Sequence, residues 1–167
     1  MNVFFTNECP IQSANEHNFV YQVKMIVEYS QLLSSAHHEL DVDNAIDGIY
    51  KKTHVNHPSA VWVRKSYDHY VWVWECAKQL CALYTARTGK VHKTEAILDL
   101  LASAPTNIPE NGFVNPPVAA PDEFKALAVF GDTCKAYQKY LCAKFAEWQS
   151  RAKPMKVEFD VVPEWYA

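Results

Sequence analysis

The run from Ser13 to His38 constrains this chain more than any other stretch. Laid on a helix at about 100° per residue, it is apolar over most of its circumference. Phe19, Val23, Met25, Ile26, Val27, Tyr29, Leu32 and Leu33 cover that surface, and His17, Tyr21, Lys24, Glu28, Gln31, Ser35 and His38 share one narrow stripe. A helix that is apolar nearly all round is a buried one. Ser13-Ala-Asn-Glu16 reads as a capping box, so the spacing predicts a central helix from about Ala14 to Glu39 or Leu40. Val23, Ile26, Val27 and Leu33 are expected inside it, each contributing roughly 1.5–3 kcal/mol by burial. Buried charge is costly unless it is paired or put to use. Lys24 and Glu28 stand four apart and can pair, so the stripe reads either as a structural ion pair with a wetted edge or as the floor of a site.

The rest of the chain is punctuated for helices. Val3, Phe4 and Phe5 lie in a short extended arm that ends near Pro10. Asp41 to Tyr50 reads as a loop, and Pro58 opens a short helix carrying Val61, Trp62, Val63 and Arg64. Ser66 and Gly89 bracket a long helix from Tyr67 to Thr88, with Tyr70, Val73, Trp74, Ala77, Leu80, Cys81 and Tyr84 inward. Glu95 to Ser103 is another helix. Pro105 to Pro121 holds several prolines and reads as a long loop. A short helix starts at Pro121, and Asp132 or Thr133 caps a last one, to about Arg151. The tail from Val157 alternates like a strand and then packs back through Pro163-Glu-Trp-Tyr166. The fold class expected is therefore all-α, a compact single domain over residues 1–167 with about five helices around the buried central one.

Composition narrows the function. Only four glycines are present, and neither GxGxxG nor GxxxxGK[ST] occurs, so a Gly-rich phosphate loop is excluded. No apolar run reaches the roughly 20 residues of a membrane span, and no export signal is read at the start. The five cysteines show no CxxC pair and mostly sit in helical patterns, which is the reduced, cytoplasmic pattern. The net charge of −3 is unlike the basic surface of proteins that hold duplex DNA. Lys24, Lys51, Lys52, Arg64, Lys65, Lys90 and Lys93 still gather most of the early positive charge.

Three groups of residues carry possible chemistry. Glu28 with Lys24 is the first. The second is the His54, Asn56, His57 and Arg64 set, extended by Lys90 and His92, which suits a phosphate or nucleotide. His54 and His57 alone supply half a metal site and nothing fixes a third ligand, so no metal and no cofactor is assigned. The third is aromatic: Tyr21, Tyr70 and Trp74, either core residues or a platform for stacking a base.

Several motifs carry a resemblance. Lys24-Met-Ile-Val-Glu28, Gln31 to His37, Tyr50-Lys-Lys-Thr-His-Val-Asn-His-Pro58, Val61-Trp-Val-Arg64-Lys-Ser66, Tyr70, Trp74 and Thr88-Gly-Lys-Val-His-Lys93 resemble a family of small phage-encoded helical proteins. The likeness spans about residues 1 to 105 and, more loosely, Pro121 to Lys125 and the Pro-Glu-Trp-Tyr end. The layout is more weakly similar to phage pyrimidine-dimer DNA glycosylases, compact all-α proteins with a catalytic Glu on an early central helix. That resemblance implies Glu28 as the catalytic carboxylate and the N-terminal α-amine as a nucleophile that forms an imine with a sugar C1′. It implies a nucleotide or nucleic acid as partner and the host cytoplasm as location. The chain departs from these patterns at Tyr21, where the related sequences carry His. It departs again at Phe19 and Val20, where they carry a charged pair, at the Met1-Asn2 start and in its net negative charge. The other reading is a non-enzymatic phage accessory protein that binds a nucleotide signal or a host protein.

Overall fold

Pro10 begins the first helix, where its fixed φ and missing N–H cost nothing. In the computed structural model, which describes residues 1–129 and 131–167, that helix is α1, Pro10–Asn15. The chain then turns through Glu16 and His17, and the central helix α2 runs Phe19–Leu40. Its cap is Asn18, whose side chain accepts a hydrogen bond from the Tyr21 amide at 2.9 Å.

The helix thus starts later than the capping box predicts, because both members of that box are spent elsewhere. The Ser13 hydroxyl donates to Phe4 O at 2.8 Å and accepts from the Thr6 amide. Glu16 accepts from Asn7, Gln12 and the Trp165 indole. Ile26 and Leu33 are buried as expected, but Val23 is 38% exposed and Val27 only half-buried. The outer face of α2 is broader than the polar stripe suggested, since Val20, Val23 and Lys24 all point outward. Ser30 and Ser34 donate back to the carbonyls of Ile26 and Ser30, at 2.7 Å each, which lets hydroxyls sit inside the core.

The second long helix, α4 (Tyr67–Thr88), follows α3 (Pro58–Val63) and ends at Gly89, whose φ of 69° is the left-handed C′ position. Its bounds match the sequence prediction, although the Ser66 hydroxyl makes no capping bond. α4 runs antiparallel to α2. Arg87 lies over the Phe19 ring at 4.3 Å at one end, and His37 meets the Tyr70 hydroxyl at 3.0 Å at the other. α5 (Glu95–Leu100), α6 (Asp122–Val129) and α7 (Thr133–Ser150) complete the set, with a 3-10 turn at Val42–Asn44.

The described residues therefore form an all-α fold of seven α-helices with no strand, more than the five or so expected. Residues 101–121 wrap the α3–α4 corner. There the Trp62 indole donates to Val114 O, and His69 accepts from the Val114 amide while lying flat on Trp62 at 4.3 Å. The tail is not a strand but an extended segment. Its Glu158 carbonyl accepts from the Phe19 amide at 2.9 Å, and Phe159 and Tyr166 pack on Phe145. No helix is long and apolar enough to cross a membrane among the described residues.

Candidate functional site

The site is built by the first few residues lying against α2. Val3 and Phe5 are fully buried and Phe4 nearly so, and polar bonds pin the arm between them. The Asn2 amide donates to Ala119 O, and its oxygen accepts from the Val3 amide and from the Tyr137 hydroxyl. The Phe4 amide donates to the Tyr29 hydroxyl at 3.1 Å. Tyr29 adjoins Glu28 on α2, so this anchor brings the start of the arm to that carboxylate.

The Met1 nitrogen lies 3.7 Å from Glu28 Oε2, and Lys24 Nζ lies 3.4 Å from Oε1. Glu28 is thus bracketed by two amines. Its side chain is 16% exposed, against 57% for Lys24 and 3% for Met1. Lys24 precedes Glu28 by one turn, the weaker order for such a pair, and an exposed pair of this kind contributes only about 0.3–0.5 kcal/mol.

Behind Glu28 runs a buried hydrogen-bond chain that the spacing of residues did not disclose. His17 lies 2.7 Å through Nδ1 from Ser13 O and 3.2 Å through Nε2 from the Tyr29 hydroxyl. The consistent pattern has Nδ1–H donating to the carbonyl and Nε2 accepting from Tyr29, which leaves the tyrosine oxygen to accept from Phe4. Burial lowers the His17 pKa to about 4, against the opposing pull of the Ser13 carbonyl, so the ring is neutral at pH 7. Burial likewise raises the Tyr29 phenol well above its ordinary value, so it stays a donor. His17 was legible as a stripe residue, but its link to the arm depends on the arm's path.

His57 is the N-cap of α3, its Nδ1 accepting from the Ser59 amide at 3.2 Å. The loop before it is fastened to α2 by Ser35, which bonds both Thr53 backbone groups at 3.1 Å. His57 borders a groove of about 810 Å³ whose other walls are Pro117 to Pro121, α6 and Tyr140. Its pKa is lowered, first by burial and then by the Met1 ammonium and His54, with Glu28 pulling the other way. Met1, Lys24 and Glu28 are not among the residues that line this groove.

Of the other predicted phosphate residues, His54, Asn56 and Arg64 share the corner before His57, whose amide donates to His54 O at 2.8 Å, whereas Lys90 and His92 lie elsewhere. Arg64 donates through Nη1 to Val55 O at 2.6 Å, closing the His54–Arg64 corner and occupying part of its fork. His54 is exposed with a φ of 50° and its Nδ1 sits 2.6 Å from the Thr53 hydroxyl, while the exposed Asn56 lies in the adjoining turn. Lys90 and His92 lie past the far end of α4, whose 22 residues span about 33 Å at 1.5 Å each. They therefore cannot join Arg64 in one pocket. His92 instead accepts from the Thr94 amide and meets the edge of Tyr84.

Two of the three predicted stacking residues, Tyr21 and Tyr70, belong to the core. Tyr21 is 2% exposed, packed on Phe4, Phe145 and Trp148, and Tyr70 is 1% exposed with its hydroxyl donating to Leu101 O. Trp74 is half-buried, its indole donating to Leu98 O. Tyr21 and Tyr70, buried on all sides, offer no face to a base. Among the described residues, no group of three or more His, Cys, Asp or Glu is placed to hold a metal ion.

Compared with known proteins, the chain matches no family model, and no curated protein or solved structure is significantly similar to it.

Proposed function

We propose that the protein is phage-encoded and acts on a nucleic acid or nucleotide by glycosylase- or lyase-like chemistry, with Glu28 as the catalytic carboxylate. The observation that carries this reading is the placement of the Met1 nitrogen 3.7 Å from Glu28, at the end of an arm pinned residue by residue. In that chemistry an uncharged amine attacks a sugar C1′, forming an N–C1′ bond as the bond to the base breaks. The base leaves with the bonding electrons. The amine proton passes to Glu28, and opening of the sugar ring gives an imine. The same carboxylate opposes the positive charge that develops at C1′. Met1 supplies the amine; Lys24 holds the other carboxylate oxygen and is the second candidate nucleophile. His57 stands at the groove as the contact for a phosphate.

The test is incubation with a duplex carrying an abasic site or a pyrimidine dimer in the presence of borohydride, which reduces an imine to a stable adduct. A covalent adduct that disappears in Glu28→Gln supports the reading. Two observations favour a second reading, an accessory protein that binds a nucleotide signal or a host protein. The chain carries a net charge of −3, and Arg64 is tied to its own loop. No adduct, no strand cleavage and no salt-sensitive DNA binding would together select that second reading.

A further inference from the structure

Residues 112–115, Gly-Phe-Val-Asn, cross the α3–α4 corner as an exposed loop that is fastened on either side. Upstream, the Asn111 side-chain amide donates to Lys65 O and Pro109 O accepts from the Tyr67 amide, at 2.8 Å each. Downstream, Pro116 is buried and Pro117 O accepts from the Tyr137 hydroxyl at 2.7 Å. Between these anchors, among the described residues, two hydrogen bonds hold the loop, both at Val114. Its carbonyl accepts from the Trp62 indole at 2.9 Å, and its amide donates to His69 Nε2 at 3.0 Å. Phe113 packs edge-on against His69 and Trp62 and stacks on Phe5 at 6.0 Å. Gly112 has a φ of 74° and open space at its Cβ position, so the chain can pivot there without a side chain in the way.

His69 is the partner that can be withdrawn. Its Nδ1 lies 2.8 Å from Trp62 O, which only accepts, so Nδ1 carries the proton. The Val114 amide only donates, so Nε2 is the bare nitrogen. The ring is thereby fixed as one neutral tautomer. A second proton would go on Nε2 and set two donors 3.0 Å apart, leaving each without an acceptor. The imidazolium would keep its own place. Nδ1–H still donates to Trp62 O, and the ring is stacked on Trp62 at 4.3 Å, where the indole face favours a cation. Val114 is therefore the group that leaves.

Burial acts most strongly on the ring and lowers its pKa. Asp68 on α4 pulls the other way, and Lys65 at the corner adds to the lowering. α3 and the loop present Trp62, Phe113 and Val114 to the ring, none of them titratable. His57 and His92 also accept amide bonds, but from residues two positions along their own turns, so no separate segment hangs on them.

We infer that residues 112–115 form an acid-released flap, closed over Trp62 and Phe5 by the Val114–His69 bond and opened when His69 takes up a second proton. Opening lifts Phe113 away and uncovers Trp62 and Phe5, both buried in the closed form. Because the closed form holds the ring neutral, closure is complete above the ordinary histidine value of about 6.5 and is lost as pH falls through the lower folded value. The flap is independent of the Glu28 chemistry.

Solution NMR of the full chain from about pH 7.5 to about pH 5 tests this. It follows the His69 ring signals and the exchange rate of the Val114 amide divided by its intrinsic rate at each pH. Below about pH 6.5, protection of Val114 is expected to fall about tenfold per pH unit, the slope of a release linked to one proton, while helix content by circular dichroism stays constant. His69→Gln offers an amide oxygen to Val114 and does not titrate, so its Val114 protection should be the same at both ends of the range. Should that variant be open at neutral pH, Phe113→Ala carries the comparison. Loss of the ring loosens the closed form and should move opening up by about one pH unit. Protection that does not change with pH, a slope that persists in His69→Gln, an unmoved midpoint in Phe113→Ala, or loss of protection only together with the helices would overturn the inference.

Discussion

The two ends of the chain are both irregular, and they are held in different ways. The N-terminal arm is fixed by directional bonds: Asn2 to Ala119 and Tyr137, Phe4 to Tyr29 and Ser13, Thr6 to Ser13 and Gln138. The tail combines ring contacts, Phe159 and Tyr166 on Phe145, with scattered single bonds, from the Phe19 amide to Glu158 O, from Gln22 to Asp160 and from Trp165 to Glu16, and it leaves Val161 and Val162 exposed. Ring packing tolerates small shifts, whereas a ladder of buried hydrogen bonds fixes position and is costly to leave half made. The arm ends at Glu28 and the tail does not. Precision is concentrated where chemistry is proposed.

The contrast predicts effects of different kinds at the two ends. Largest is Glu28→Gln, which keeps the shape and removes the charge. It should cut imine trapping at least 100-fold and leave the melting temperature within a few degrees. Adduct yield on gels and a thermal melt check both halves.

Next comes acid stability, which belongs to the arm. The folded His17 pKa is about 4, below the ordinary histidine value, so between roughly pH 6.5 and 4 the unfolded chain binds the extra proton. Stability conferred by the neutral ring is complete above that window and is lost as pH falls through it, up to about 3 kcal/mol. Burial also lowers His37, His57 and His69, which adds to the slope with the same sign. Urea unfolding at pH 7 and pH 4.5 measures the slope, and His17→Gln should flatten it.

Tyr29→Phe removes the hydroxyl that accepts from Phe4 and leaves that buried amide unsatisfied. A cost of about 1–3 kcal/mol is expected, together with loss of trapping as the arm loosens. Trp165→Ala, at the tail, should also destabilise, by about 1–2 kcal/mol for a half-buried ring, yet leave trapping intact. Equal loss of trapping in both variants would erase the distinction between the two ends. Smallest is the stability effect of Lys24→Gln, below about 0.5 kcal/mol by chemical denaturation.

Much of the helical frame was legible. α4 was readable to the residue because Ser66 and Gly89 punctuate it unambiguously, and Gly89 does adopt the left-handed cap. The start of α2 was not, since Ser13 and Glu16 look like a capping box whatever distant partners claim their side chains. Tyr21 and Tyr70 share their spacing with any exposed aromatic stripe, so burial had to come from the fold. Arg64 and His92 are drawn together by composition but separated by the length of a helix. The Lys24–Glu28 pair follows from a four-residue spacing. The approach of Met1 to the same carboxylate follows only from the path of the arm across α2.

In the proposed chemistry Glu28 and the Met1 amine form one reacting unit. The most direct measurement is peptide mapping by mass spectrometry of the borohydride-trapped adduct on an abasic duplex, for the native chain and for one carrying a single extra residue before Met1. The sugar remnant is expected on the Met1 nitrogen, and that adduct is expected to be lost in the extended chain. An adduct that survives the extension on an amine remote from Glu28, or no adduct from the native chain, would contradict it.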